Sequence, residues 1–267
     1  MLSFRDWLFV IALVARAVPA MAQEPGWVSP AQSSPATPGF LTHYALHMDG
    51  NRVSGEDPRF TWVADLGGDV DIVDYGRGRV NFLANFSGVL GEELRAFDLN
   101  QMTFTLDFRA TFRTPQNELA GVFHHVSRHL SDRPRLLPID WNMIGVEYWH
   151  RIDSGLLRLR ASARALVAIE KSSVDYQSEL GGRIDALYPA RGRVSAIASG
   201  AGTLVQVEQD LLGRDDQRGG RLEGGVQIRG EAGAVELFIA YERRIDAHPV
   251  DLRPMTWTIV GFRLLRR

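Results

Sequence analysis

The eleven residues from Met102 to Phe112, MTFTLDFRATF, alternate without a break. Met102, Phe104, Leu106, Phe108, Ala110 and Phe112 are apolar, whereas Thr103, Thr105, Asp107, Arg109 and Thr111 between them are polar. A period of two puts these sets on opposite faces of a strand, one suited to oil and one to water. The pattern recurs where Arg158, Arg160, Ser162 and Arg164 interleave with Leu157, Leu159, Ala161, Ala163, Ala165 and Val167. It recurs once more where Tyr176, Leu180, Ile184, Ala186 and Tyr188 are set against Gln177, Glu179, Arg183 and Asp185.

Runs of this kind predict strands near residues 41–48, 59–74, 79–90, 101–112, 119–130, 140–150, 155–169, 176–188, 193–207, 220–230, 234–244 and 255–265. Most reach or exceed the roughly 9 to 11 residues that carry a tilted strand across a bilayer, where globular strands average about 5 to 6. The connections alternate between short turns (75–78, 113–118, 151–154, 189–192, 231–233) and longer segments (49–58, 91–100, 131–139, 170–175, 209–219, 245–254). Short turns at one end and longer loops at the other, with an even strand number, characterise barrels of Gram-negative outer membranes. The expected fold class is therefore all-β, a transmembrane antiparallel β-barrel of about 12 strands over residues 41–267. A soluble exported sandwich or lipocalin-like barrel is the competing architecture, and it would turn the greasy faces inward.

Composition removes several function classes. The 267 residues carry 32 acidic and 30 basic side chains, so the chain lacks the positive field that collects nucleic-acid phosphates. With no cysteine, disulfide scaffolds, thiolate metal sites and cysteine nucleophiles are excluded. Arg5, the apolar run Trp7 to Ala15 and the small residues of Ala20-Met21-Ala22 read as a signal peptide over residues 1–22. Residues 23–40, rich in Pro, Ser and Ala, read as a flexible lead-in. The expected address is the outer membrane of a Gram-negative bacterium, with membrane lipids and the barrel-assembly machinery as partners.

Charges of both signs on the polar faces, among them Asp107, Arg109, Glu147, Arg160, Glu179, Glu223 and Glu242, cannot face lipid, where a midplane Arg costs roughly 2 to 4 kcal/mol. They are expected in the lumen. A tube of this size can be filled by crossing Arg–carboxylate pairs, which favours a plugged interior over a water-filled pore. Trp62, Trp141, Trp149, Tyr176, Tyr188 and Trp257 are expected to form aromatic girdles at the lipid interfaces.

One segment concentrates chemistry. His124, His125 and His129 fall within six positions, around Ser127. His125 and Ser127 are two apart and share a strand face, with Cα atoms separated by roughly 7 Å. If the following hairpin turns symmetrically about Arg133 and Pro134, Phe123 lies opposite Ile144 and His125 opposite Asn142. Ser127, His125 and Asn142 then form a candidate catalytic set of nucleophile, base and orienting group on the lipid-facing wall. Other readings are an interfacial polar belt, or a metal site made by His125 and His129.

His125-x-Ser127, followed by Trp141-Asn142 on the next strand, resembles the signature of the outer membrane phospholipase A family, whose members are twelve-stranded barrels. The resemblance implies Ser127 as nucleophile, His125 as base, Asn142 as the residue that fixes the imidazole, and hydrolysis of phospholipid esters. It also implies calcium and a homodimer, with Ser131 and Asp132 in the corresponding loop. Arg128 stands where that family has Asn. The segment His125-x-Ser127-x-His129-Leu130-x-Asp132 is also similar to a His-x-Ser-x-His-Leu-Gly-Asp segment of an uncharacterised bacterial barrel family, from which no activity follows. The function expected is thus a lipid acyl hydrolase of phospholipase A or lipid A deacylase type, acting on phospholipid or lipopolysaccharide. A non-catalytic structural barrel or small pore is the alternative.

Overall fold

The structure, a computed structural model, describes residues 38–131 and 138–266. The expected signal peptide and all but the end of the lead-in lie outside the described residues. Twelve strands form one closed antiparallel barrel in sequence order: β1 (Gly39–Val53), β2 (Trp62–Asp74), β3 (Arg79–Gly91), β4 (Asp98–Arg113), β5 (Asn117–Leu130), β6 (Ile139–Asp153), β7 (Arg158–Ser172), β8 (Tyr176–Arg191), β9 (Val194–Val207), β10 (Gln217–Arg229), β11 (Ala234–Arg244) and β12 (Met255–Arg266). Closure is made by β1 on β12, from Leu46 opposite Arg266 to Val53 opposite Ile259. It removes both sheet edges, which in lipid would leave unpaired backbone groups.

Within β4 the alternation resolves as expected. Phe108 and Phe112 are exposed on the outer wall, while Asp107, Arg109 and Thr111 are buried in the lumen. The outer wall is apolar on the other strands too, through residues such as Leu66, Val146, Ile184, Ile239 and Val260. Greasy side chains that face outward on a closed sheet need a hydrocarbon solvent, so the fold is that of a transmembrane barrel and not of a soluble one.

The lumen holds the charges as bridged sets. Arg263 reaches Asp49, Glu223 and Glu236 at 2.7 to 2.9 Å. Arg79 joins Asp71 and Glu118, and Arg109 joins Asp107 and Glu147. Each guanidinium offers several donors in a fixed plane, which lets one cation satisfy two or three buried carboxylates.

Three features differ from the expectation. First, β1 begins at Gly39 and runs well past Met48, because it must pair with both β2 and β12. Second, the β7–β8 connection is only residues 173–175, β7 having extended to Ser172 into the anticipated loop. Third, most of the expected girdle is internal: Trp141, Tyr176 and Trp257 are buried inward and Trp149 lines a lumen cavity, leaving Trp62 and Tyr188 outside. A register shift between Tyr176 and Ser178 flips the parity of the start of β8, and Trp141 takes the face opposite to Asn142.

Candidate functional site

β5 and β6 pair with the predicted register. Phe123 lies opposite Ile144, His125 opposite Asn142 and Ser127 opposite Asp140. The flanks of the 131–138 connection are matched in length, so the alternation on each strand allows only registers that keep both apolar faces outward. Phe123 is exposed to lipid, and His125, Ser127 and His129 follow it up the same outer face toward the longer-loop end. His124 has the opposite parity. It is buried in the lumen with Nδ1 2.6 Å from Asp107.

On the outer face the structure brings His125 and Asn142 together, with Nδ1 and Oδ1 2.7 Å apart. Asn142 also donates from Nδ2 to Glu170 Oε2 at 2.9 Å. A carboxylate only accepts, which fixes the amide with Nδ2 toward Glu170 and Oδ1 toward the imidazole. The proton of His125 is therefore on Nδ1, and Nε2 carries the basic lone pair. Hydrogen bonding thus sets the tautomer through a chain of three residues on β5, β6 and β7.

Glu170 was not among the sequence candidates. Its parity on β7 would point it into the lumen, but a register shift skips Ile169, so that Met143 faces Ala168 and Asn142 faces Glu170. The bulge re-aims the carboxylate to the outer wall. No residue type at these positions signals the extra residue, so alternation alone misses it.

Ser127 is placed differently from the expectation. Its hydroxyl is 2.8 Å from His129 Nε2, on the side away from His125. The ring of His129 meets Phe104 of β4 edge-on at 5.2 Å. Asn142 draws the His125 ring across to β6, while His129 leans back along β5 onto the serine. Ser127 therefore stands between two imidazoles, bonded to one, with the other held ready by an amide.

Two further residues of this segment turn inward. Arg128, between Ser127 and His129, donates to the Asp246 backbone carbonyl at 2.7 Å. Trp141, beside Asn142, packs edge-on against Tyr176. Asp132 lies outside the described residues, and no group of three or more His, Asp or Glu side chains forms a metal cage among the described ones.

No protein-family model and no curated protein matches the chain. Among solved structures, it is similar to an outer membrane channel of Pseudomonas putida F1, with 8% identity, a TM-score of 0.52, and coverage of 90% of this chain and 99% of that one. It is also similar to the outer membrane phospholipase of Salmonella typhi, solved as a dimer with bound calcium, with 12% identity, a TM-score of 0.51, and coverage of 88% and 94%. These likenesses are of fold: the chain shares the architecture of outer membrane β-barrels.

Proposed function

We propose that the protein is an outer-membrane lipid acyl hydrolase, exported by its N-terminal signal peptide, with Ser127 as nucleophile, His125 as general base and Asn142 as orienting residue. The observation that carries this reading is the bond between His125 Nδ1 and Asn142 Oδ1. It leaves a basic Nε2 two residues from a hydroxyl, on a wall that faces acyl chains. In this reading the Ser127 hydroxyl gives up its resting bond with His129 for one with His125. The Ser127 hydroxyl oxygen then attacks the ester carbonyl while its proton passes to Nε2, and the leaving alcohol takes that proton. Water, deprotonated by the same nitrogen, attacks the acyl-serine, releases the fatty acid and restores the hydroxyl. The site lies on the apolar outer wall toward the longer-loop end, which supports a membrane-lipid substrate.

His129 is the second candidate for the base, favoured by its direct 2.8 Å contact with the hydroxyl. The test of the activity itself is Ser127→Ala in phospholipid vesicles. Loss of fatty-acid release, with the folded barrel's gel mobility intact, supports the reading. Release equal to wild type refutes it, and so does a wild-type protein that releases none from phospholipid or lipopolysaccharide.

A further inference from the structure

The β11–β12 connection turns its first residues into the barrel mouth, and only its later part, around Val250 and Asp251, is exposed. Ile245, Asp246 and Ala247 are at most 2% exposed, and they pack among side chains from several strands. Ile245 joins an apolar cluster with Trp141, Tyr176 and Val205, while Ala247 joins another with Phe60, Phe238 and Trp257. This explains why β12 carries apolar residues on both faces: Trp257 and Ile259 face the packed mouth, while Val260 and Phe262 face lipid.

Polar contacts hold this segment from every side. The Asp246 carboxylate accepts from Tyr176 at 2.6 Å and from Arg214 at 2.7 and 2.9 Å. Arg214 also binds Asp175, tying the β7–β8, β9–β10 and β11–β12 connections together. Arg128 holds the Asp246 carbonyl and Gln101 holds the Ala247 carbonyl. Asp246 and Leu252 adopt φ of +43° and +51°, left-handed values that a bulky residue such as Leu252 tolerates only when its surroundings fix it.

Beneath lies space. A chamber of about 80 Å³ has Ala247 in its wall together with Arg128, Tyr176 and Glu223. A larger cavity of about 420 Å³ runs from Glu223 to Arg151, Asp153 and Gly155 at the short-turn end. Small inward side chains on β9, such as Ser199 and Ala201, leave this room.

We infer that residues 245–249 are a plug, latched by Asp246, that shuts the lumen at the longer-loop end and leaves a vestibule open only at the short-turn end. The resting barrel is non-conducting, and release of the latch makes it a pore for small ions. This does not depend on the hydrolase reading, since the latch is inside the wall and Ser127 outside it.

The test uses the full protein in planar bilayers in potassium chloride. Wild type and Ser127→Ala are expected to be silent. Asp246→Ala, which leaves Arg214 without one of its two carboxylates, is expected to raise open-state occupancy by roughly a hundredfold, the scale on which losing one partner of a buried ion pair shifts an equilibrium. A variant with residues 247–253 replaced by a short Gly-Ser link is expected to conduct continuously, and it carries the test if Asp246→Ala fails to fold. Steady conductance by wild type overturns the inference, as does silence of the correctly folded link variant.

Discussion

His125 Nδ1 and Asn142 Oδ1 stand 2.7 Å apart on the outer wall, joined across the β5–β6 ladder by direct opposition of their residues. Ser127 is bonded instead to His129. If His125 is the base, His125→Ala lowers kcat by about a thousandfold, and His129→Ala lowers it by less than about tenfold. Asn142→Ala, which removes the tautomer control, costs about a hundredfold. Fatty-acid release from mixed micelles measures all three. The reverse ranking of the two histidines transfers the base to His129.

Glu170 makes a sharper probe because it touches neither Ser127 nor His125. Glu170→Gln keeps the shape but turns a pure acceptor into a group that can also donate, so the Asn142 amide is free to flip. His125 then samples the tautomer with its proton on Nε2. The expected result is about a tenfold fall in kcat with KM unchanged. An unaltered kcat assigns Glu170 to structure alone.

How much of this was legible in the sequence follows from parity. Strand count, closure and the His125–Asn142 opposition follow from unbroken alternation and matched hairpin flanks, both of which the sequence displays. Glu170 and Tyr176 escape it because a single skipped residue reverses the parity of the strand on one side of it relative to the other, and no local residue marks the skip. The partner of Ser127 escapes it for another reason: imidazoles at 125 and 129 are equally spaced from the hydroxyl, and only rotamers choose between them. The plug had a signal that alternation does not weigh. Ile245, Ala247 and Pro249 are apolar in a connection that should be wet.

The Arg263 junction should dominate lumen stability. Its guanidinium serves Asp49, Glu223 and Glu236, and lies 4.6 Å from the Phe238 ring centre. Arg263→Met takes the guanidinium from three buried carboxylates, of which Glu223 keeps Arg221 and Glu236 keeps Gln227, with an expected loss of about 3–5 kcal/mol by urea unfolding in vesicles. Lys171→Met, which breaks only the half-exposed pair with Glu208, is expected to cost less than about 1 kcal/mol. Equal effects would mean that the lumen is wet enough to screen both.

The outer wall has its own test at Ile239, which is 61% exposed in mid-strand of β11. In hydrocarbon, Ile239→Arg costs roughly 2 to 4 kcal/mol, whereas on a water-facing surface the same change is nearly neutral. Unfolding in vesicles that loses this amount supports lipid contact at that position. A neutral result there contradicts it.

Acidification should loosen the plug's outer edge in two stages. Val250 and Asp251 donate backbone N–H groups to His248 Nδ1 at 3.3 Å, a role open only to an unprotonated nitrogen. Burial lowers the pKa of His248, partly opposed by Asp251, with Arg59 lowering it further and Glu93 and Asp57 acting weakly upward. Because the folded value lies below the unfolded one near 6.5, this contribution is full above about pH 6.5 and is lost as pH falls through the folded value. Asp57 and Asp251 are held below the ordinary carboxylate range, chiefly by hydrogen bonds from Arg59. Their contribution is full above about pH 4 and is lost further down. Hydrogen exchange at Val250 and Asp251, corrected for intrinsic rates, should therefore show protection falling first below about pH 6.5 and again below pH 4. His248→Ala removes only the first step. Protection that stays level from pH 8 to pH 5 in the unmodified protein contradicts the assigned role of His248.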